Sequence, residues 1–170
     1  MTTALTTTIA CISTADIAKA KVVPALLSVS SISLVAVSSR DKQRAQTFVD
    51  ENCSKDTANK CVGMTHDEIL EDKAIDALYV PLPSKVRNAF IIKGLNNNKH
   101  IYSEKPFGGS VNELQSILDM ASKLNRQWID GTMWYHSMRT KEMEKILYSS
   151  DKLGKVKRVS ASFTWGGGGD

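Results

Sequence analysis

The sequence predicts an α/β fold: a doubly wound parallel sheet with helices on both faces. Three observations support this prediction. Strand-like and helix-like segments alternate about six times along the 170 residues, which favours a parallel sheet with right-handed crossovers. Several strand-like segments are short, continuous apolar runs, as expected for strands buried on both faces. Two helices are preceded by capping boxes, Thr65 with Glu68 and Ser110 with Glu113.

The first half of the chain contains three predicted strands and three predicted helices. The strands are β-prone runs at 8–12, 32–37 and 62–64. The helices are 16–29, 41–51 and a short one after the Thr65 capping box. Pro24 lies inside the first helix and is expected to kink it. The predicted apolar face of that helix includes Ile17, Val22, Ala25 and Leu26.

The second half repeats the alternation. Strands are predicted at 75–80, 100–103 and 127–133, and helices at 84–96, 110–123 and 140–148. The 84–96 helix carries Val86, Phe90 and Ile91 on one apolar stripe. The segment 156–165 alternates like a half-exposed strand and is expected to begin a second, incomplete domain.

Composition narrows the function classes. The 22 basic and 18 acidic residues give a formal charge of +4 and are spread along the chain, without the basic and aromatic stripes of a nucleic-acid groove. No apolar run reaches the roughly 20 residues of a spanning helix, and the opening MTTALTTT does not read as a secretory signal. We therefore expect a cytoplasmic protein with no nucleic-acid or membrane partner. Its scattered cysteines and histidines predict no metal site.

The loop after the first strand is where a dinucleotide fold places its glycine-rich turn. This chain has Ser13-Thr14-Ala15-Asp16-Ile17-Ala18 there, with no glycine at the three motif positions. Small side chains still let a pyrophosphate approach the backbone N–H groups of the helix start. The cost of having no glycine is backbone strain wherever the turn requires a positive φ, which glycine adopts freely. An ordinary capped helix start is the alternative interpretation.

The end of the second strand indicates which nicotinamide cofactor is preferred. A carboxylate there would bind the ribose 2′-OH of NAD, whereas an arginine suits the 2′-phosphate of NADP. The sequence reads Ser38-Ser39-Arg40, and the first carboxylate, Asp41, is expected to cap the next helix. The guanidinium of Arg40 matches phosphate geometry. NADP is therefore favoured, with NAD left open.

Four segments carry a family resemblance: TIACISTADIAK, LVAVSSRDKQRAQTF, the stretch from DALYVPLPSKVRNAF to EKPFGGSVNEL, and IDGTMWYHSMRT. Together they resemble the Gfo/Idh/MocA oxidoreductases, nearest the branch of glucose-fructose oxidoreductase and dimeric dihydrodiol dehydrogenase. The resemblance runs over residues 8–165, and the EKP at 104–106 is its most specific part. It implies a Rossmann-type fold at 1–150 and the start of an incomplete C-terminal α/β domain at 151–170.

The resemblance also implies roles for particular residues. Lys105 matches the family lysine that lies beside the nicotinamide and the substrate hydroxyl, so it is the predicted catalytic residue. An ammonium there would stabilise alkoxide charge. Pro106 would fix the backbone after the lysine, and a cis Lys105–Pro106 bond is one way in which it could do so. The predicted cofactor-binding residues are Ser13, Thr14, Ala15, Asp16, Ile17, Ser39, Arg40, Leu82, Pro83, Glu104, Lys105, Pro106, Trp134 and Arg139. Ser84 and Arg87 depart from the Asn and His that the family usually has.

The implied function is an NADP(H)-dependent oxidoreductase, or its nucleotide-binding domain, that moves hydride at a sugar, polyol or diol carbon. Two alternatives stay open: a non-catalytic dinucleotide-binding or regulatory module, and an α/β interaction domain without a nucleotide. The family's catalytic Tyr or His belongs to a second domain and has no match here. Homo-oligomerisation is a further expectation, because the last strand has no partner in the sequence.

Overall fold

A computed structural model of the chain describes residues 6–53, 60–149 and 153–164. The chain forms two compact units, Met1–Thr132 and Met133–Asp170, each of which is described by itself. Within the described ranges, every helix is too short or too polar to cross a membrane.

The first unit is built on one six-stranded sheet. Its strands are β1 (Thr7–Ile12), β2 (Ile32–Ser39), β3 (Val62–Thr65), β4 (Ala77–Val80), β5 (His100–Ser103) and β6 (Trp128–Asp130). Their spatial order is β3-β2-β1-β4-β5-β6, and every neighbouring pair is parallel. The predicted doubly wound parallel sheet is therefore confirmed. The winding reverses between β1 and β4, so the loops that follow these strands diverge there and leave a crevice.

Helices cover both faces of the sheet. They are α1 (Val23–Leu27), α2 (Lys42–Asn52), α3 (His66–Glu71), α4 (Ser84–Asn96) and α5 (Val111–Lys123). Apolar residues of α3, α4 and α5 form one core cluster with the sheet, and those of α1 and α2 form the other. Each fully buried Leu or Ile in these clusters contributes about 1.5–3 kcal/mol relative to exposure.

The segment after β1 differs from the predicted helix. Residues Ala18–Val22 form a π-helical turn before α1, with the Val23 N–H donating to the Ala18 carbonyl. This turn takes one residue more than an α-helical turn, so the buried positions are Ala18, Val23 and Leu26. The predicted apolar face is wrong at Ile17 and Ala25, which are exposed. Pro24 falls in the first turn of α1, where its missing N–H costs little.

Helix α4 has the predicted bounds, but its buried side is different. Val86 is exposed, whereas Arg87 and Asn88 are buried with Ile91. The predicted apolar stripe was therefore wrong at Val86, because two polar side chains turn inward to bind loop carbonyls.

The two predicted capping boxes have different outcomes. The box of Thr65 and Glu68 is complete, with both reciprocal hydrogen bonds present. At Ser110 the side chain accepts from the Glu113 N–H, but the Glu113 carboxylate accepts from the Asn88 amide instead of closing the box.

Gly63 in β3 lies directly against α2. A Cβ built at this position would come within 2.4 Å of the Gln46 backbone nitrogen and 2.6 Å of its Cα. The Gly63 N–H donates to the Gln46 side chain at 2.9 Å. Helix α2 and strand β3 therefore approach each other without a side chain between them.

Two predicted strands differ most from the structure. Strand β6 is three residues long and ends at Asp130, whose carboxylate accepts from the Thr132 N–H at 2.9 Å and turns the chain. The described part of the predicted 156–165 strand, residues 156–164, has no regular secondary structure. The sequence pattern was alternating, but a strand also needs a hydrogen-bonded neighbour.

The second unit contains two helices in its described part. Helix α6 spans Met133–His136, and α7 spans Met138–Tyr148 with Ser137 as its N-cap. The Thr140 hydroxyl donates to the Trp134 carbonyl at 2.5 Å and joins the two helices. Residue 133, predicted as the end of a strand, is therefore the first residue of a helix.

Candidate functional site

A cleft of about 410 Å³ opens at the carboxyl ends of the strands. Its walls come from the loops after β1, β2 and β4, together with α2, α3 and α4. The lining residues are Ser13, Thr14, Ser39, Arg40, Arg44, His66, Leu82, Pro83, Val86 and Phe90. Six of the predicted cofactor-binding residues are among them.

Ser13 begins the turn after β1 with an unusual backbone conformation. Its φ is +127°, a region that side-chain-bearing residues rarely adopt. This is the position of the first glycine in a dinucleotide-binding turn. The serine therefore adopts a conformation that glycine would adopt without strain, which is the cost expected for a turn that lacks glycine.

The cleft is basic. Arg40 and Arg44 line it, and none of its lining residues is acidic. The nearest carboxylate in sequence, Asp41, accepts from the Gln43 N–H and caps α2. Among the described residues, neither arginine side chain makes a hydrogen bond or ion pair, so both guanidinium groups are available to an anion.

Below the arginines, the floor of the cleft contains a histidine held by two neighbours. The His66 Nδ1 lies 2.8 Å from the Ser38 hydroxyl, and its ring meets Phe90 edge to face at 5.2 Å. Burial lowers the pKa of His66 below its usual 6.5, with the nearby Arg40 adding to the effect and Asp67 opposing it. The imidazole is therefore neutral at pH 7, and the positive charge of the cleft comes from the arginines.

Sequence reasoning missed four lining residues: Arg44, His66, Val86 and Phe90. For Arg44 a signal was available, because it follows Arg40 by four residues near the start of a predicted helix. The other three lie on helices that pass behind the loops. Their positions depend on how α3 and α4 pack, which local sequence does not specify.

The loop that carries Lys105 follows β5, beside the β4 loop. Lys105 is exposed, and the Lys105–Pro106 peptide bond is cis. The preceding residue is anchored, since the Tyr79 hydroxyl donates to the Glu104 carboxylate at 2.9 Å. Further along, the Phe107 ring packs on Trp128 with centroids 5.7 Å apart.

The remaining predicted site residues lie elsewhere. Ala15, Asp16 and Ile17 do not line the cleft; Asp16 and Ile17 are exposed at the start of the helical segment. Glu104, Lys105 and Pro106 are on the neighbouring loop outside the lining. Trp134 and Arg139 belong to the second unit.

The strand order, the reversal at β1 and β4, and a basic cleft at that point define a Rossmann-type dinucleotide-binding domain. Comparison with protein families agrees. Residues 8–131 match the Gfo/Idh/MocA model, described as an oxidoreductase family with an NAD-binding Rossmann fold. The chain belongs to this family, as the sequence resemblance indicated.

Similar proteins include several sugar-modifying enzymes. The chain is 30% identical over 151 residues to dTDP-3,4-didehydro-2,6-dideoxy-alpha-D-glucose 3-reductase of Streptomyces antibioticus, covering 88% of this chain and 44% of the relative. It is 27% identical over 130 residues to trans-1,2-dihydrobenzene-1,2-diol dehydrogenase of Xenopus tropicalis, covering 76% and 38%. The chain spans less than half the length of these relatives.

A solved structure is also similar. KijD10, a 3-ketoreductase from Actinomadura kijaniata crystallised with NADP and TDP-benzene, aligns with a TM-score of 0.74 at 25% identity. The alignment covers 84% of this chain and 42% of KijD10.

Proposed function

We propose that this chain is the NADP(H)-binding part of an oxidoreductase that moves hydride at a sugar, polyol or diol carbon. The observation that carries the proposal is the pair Arg40 and Arg44 in a cleft without a lining carboxylate. Two guanidinium groups fit a 2′-phosphate, whereas the ribose 2′-OH of NAD is usually bound by an acidic side chain. The sugar-modifying relatives, and the NADP in the KijD10 crystals, support this assignment.

The cleft residues divide between the parts of a dinucleotide. Arg40, Arg44 and Ser39 would hold the 2′-phosphate, and the turn at Ser13 and Thr14 would receive the pyrophosphate through its N–H groups. Leu82 and Pro83 give the cleft an apolar wall for the adenosine side. The other residues predicted to contact the cofactor (Ala15, Asp16, Ile17, Glu104, Pro106, Trp134 and Arg139) remain proposals.

Lys105 is the proposed catalytic residue. The bound nicotinamide would supply hydride chemistry, and the protein would orient it and provide charge. An exposed amine on the rim can bind the oxygen of the reacting carbon and stabilise negative charge that develops there. We further propose that residues 1–150 form the cofactor domain and that 151–170 begin a second domain.

A non-catalytic dinucleotide-binding module is the second candidate. It is favoured by the exposure of Lys105. Binding without turnover would select this candidate.

The test is a fluorescence titration of the 170-residue protein with NADPH, followed by turnover assays with sugars, polyols and trans-diols. We expect saturable NADPH binding. In any preparation that turns over substrate, Lys105→Met should leave NADPH affinity within about threefold and lower kcat by about 100-fold or more, the size of effect typical for a charged group at a developing oxyanion. Absence of NADPH binding would exclude the proposed function, and parental turnover in the variant would exclude a catalytic role for Lys105.

A further inference from the structure

Arg87 is a buried cation whose partners are backbone carbonyls of two different loops. Arg87 is only 5% exposed to solvent. Nε donates to the Leu82 carbonyl at 2.8 Å, and Nη1 donates to the Pro106 carbonyl at 2.6 Å and to the Glu104 carbonyl. The guanidinium therefore joins the loop after β4 to the loop that carries Lys105.

The next residue of α4 binds the same loop further along. The Asn88 amide donates to the Gly108 carbonyl and, at 2.9 Å, to the Glu113 carboxylate. Close packing accompanies these bonds, because a Cβ at Gly108 would come within 2.7 Å of the Ser84 Cβ. Residues 104–108 are thus held against α4 at several points.

Burying the Arg87 guanidinium costs free energy, and this cost indicates that the position of the two loops matters. Burying a charged side chain is unfavourable without close hydrogen-bond partners, and among the described residues Arg87 has no carboxylate within bonding distance. An apolar side chain would fill the space without this requirement. An apolar side chain cannot donate hydrogen bonds to three carbonyls of two loops, whereas the guanidinium carries enough donors to do so.

The two loops joined by Arg87 have different proposed tasks. Leu82 lines the cleft, whereas Glu104 and Pro106 flank Lys105. Resting on the proposed function, we propose that Arg87 is a positioning residue that sets the Lys105 loop relative to the cleft, so that the nicotinamide end of the cofactor meets an ordered rim. The nucleotide end is proposed to be held mainly by Arg40 and Arg44, to whose segment Arg87 makes no hydrogen bond among the described residues. It shares only the Leu82 wall with Arg87 and should therefore depend on Arg87 less than the nicotinamide end does.

The experiment compares Arg87→Lys with the parent and with a matched control, Arg126→Lys. Arg126 also donates to two backbone carbonyls, those of Asn98 at 2.8 Å and Asn125 at 2.9 Å, but it lies at the opposite end of the sheet. Hydrogen exchange is followed in peptides covering 101–110 and 36–46. Affinities are measured for NADPH and for adenosine 2′,5′-bisphosphate, which contains only the nucleotide end.

We expect Arg87→Lys to raise amide exchange in 101–110 by about tenfold, as lost hydrogen bonds lower local opening free energies. Amide exchange in 36–46 should keep the rate of the parent protein. NADPH should bind about fivefold more weakly, and the affinity for adenosine 2′,5′-bisphosphate should change by less than about twofold. Arg126→Lys should change none of these quantities. A residue that only supported global stability would not separate the two ligands.

The proposal is overturned if 101–110 exchanges at the parental rate in Arg87→Lys, or if both ligands weaken equally. If that variant exchanges throughout the chain because it does not fold, Asn88→Ser carries the test with the same expectation for 101–110. Should the parent bind neither ligand, the proposed function fails, while the exchange result still decides whether Arg87 orders the loop.

Discussion

Each end of the parallel sheet carries a cavity lined in part by charged side chains, and the larger of the two is at the end without the proposed site. The cavity at the amino ends measures about 470 Å³ and is lined by residues such as Lys73, Asp76, Lys99 and Arg126. The cleft at the carboxyl ends measures about 410 Å³. Cavity size alone would therefore point away from the proposed site.

The difference lies in what the charged groups contact. At the amino end, the Lys99 amine donates to the Ile75 carbonyl at 2.8 Å and to the Asp72 carbonyl. Asp76 accepts from the Thr8 N–H and hydroxyl, both at 2.8 Å, and these bonds lower the pKa of its carboxyl. Lys99 and Asp76 are therefore satisfied by the protein itself, whereas Lys73, exposed at the same cavity, makes no side-chain hydrogen bond or ion pair among the described residues.

At the carboxyl end, Arg40 and Arg44 have no such partner among the described residues. The proposed anion site therefore rests on two neighbouring guanidinium groups without protein partners, and not on the volume of the cavity. Three substitutions test this contrast between the ends.

The largest effect is expected at the cleft. Arg40→Ala should weaken NADPH binding by about 30-fold, because a charge-assisted hydrogen bond to phosphate contributes about 2 kcal/mol. NADH binding should change by less than about threefold. Fluorescence titration with both cofactors checks this expectation.

Lys42→Ala is the control for Arg40→Ala. Lys42 lies between the two arginines in sequence but pairs with Glu68 at 2.6 Å and does not line the cleft. NADPH affinity should therefore stay parental in this variant. Equal weakening of NADH and NADPH by Arg40→Ala would remove the case for 2′-phosphate recognition.

Substitutions at the amino end of the sheet should instead change the free energy of unfolding. Lys99→Met keeps the length of a side chain that is 2% exposed but leaves two carbonyls without their donor, so the free energy of unfolding should fall by about 2 kcal/mol. NADPH affinity should not change. Lys73→Met, an exposed neighbour at the same cavity, should cost less than about 0.5 kcal/mol. Urea denaturation measures both, and a loss of NADPH affinity in Lys99→Met would contradict the division between the ends.

The smallest effect is expected at the turn after β1. Ser13→Gly removes the strain of φ +127°, which costs a side-chain-bearing residue about 1–3 kcal/mol, and adds unfolded-state entropy of about 0.5–1 kcal/mol. The variant should therefore be more stable by about 1 kcal/mol while NADPH binding is retained. Thr14→Gly, whose backbone does not have a positive φ, should not be stabilised. Urea denaturation of both variants decides whether the serine is strained.

Much of the fold could be predicted because local signals agreed with the final packing. Helix α4 and strand β5 have the predicted bounds, since the turn before α4 and the run of asparagines after it mark clear ends. The family resemblance and the strand pattern pointed to the same sheet. The π-helical turn at Ala18–Val22 was missed because a periodicity of 3.6 was assumed around Pro24.

The site was predicted where it follows strand ends and missed where it depends on helix packing. Ser13, Arg40 and Leu82 come directly after strands, so the topology places them at one rim. His66 and Phe90 reach the cleft only through the orientation of α3 and α4. The sequence showed Arg87 as a departure from the family pattern. Its burial and its carbonyl partners depend on tertiary packing, which no local sequence pattern encodes.

The close approach of Gly63 to Gln46 has a consequence for the geometry of the nucleotide site. Helix α2 begins one residue after the N-cap that follows Arg40, and it carries Arg44. Any side chain at position 63 must push the whole helix outward, because the obstructing atoms are its backbone. The distance of Arg44 from the sheet therefore depends on a glycine in β3, two strands away from β1.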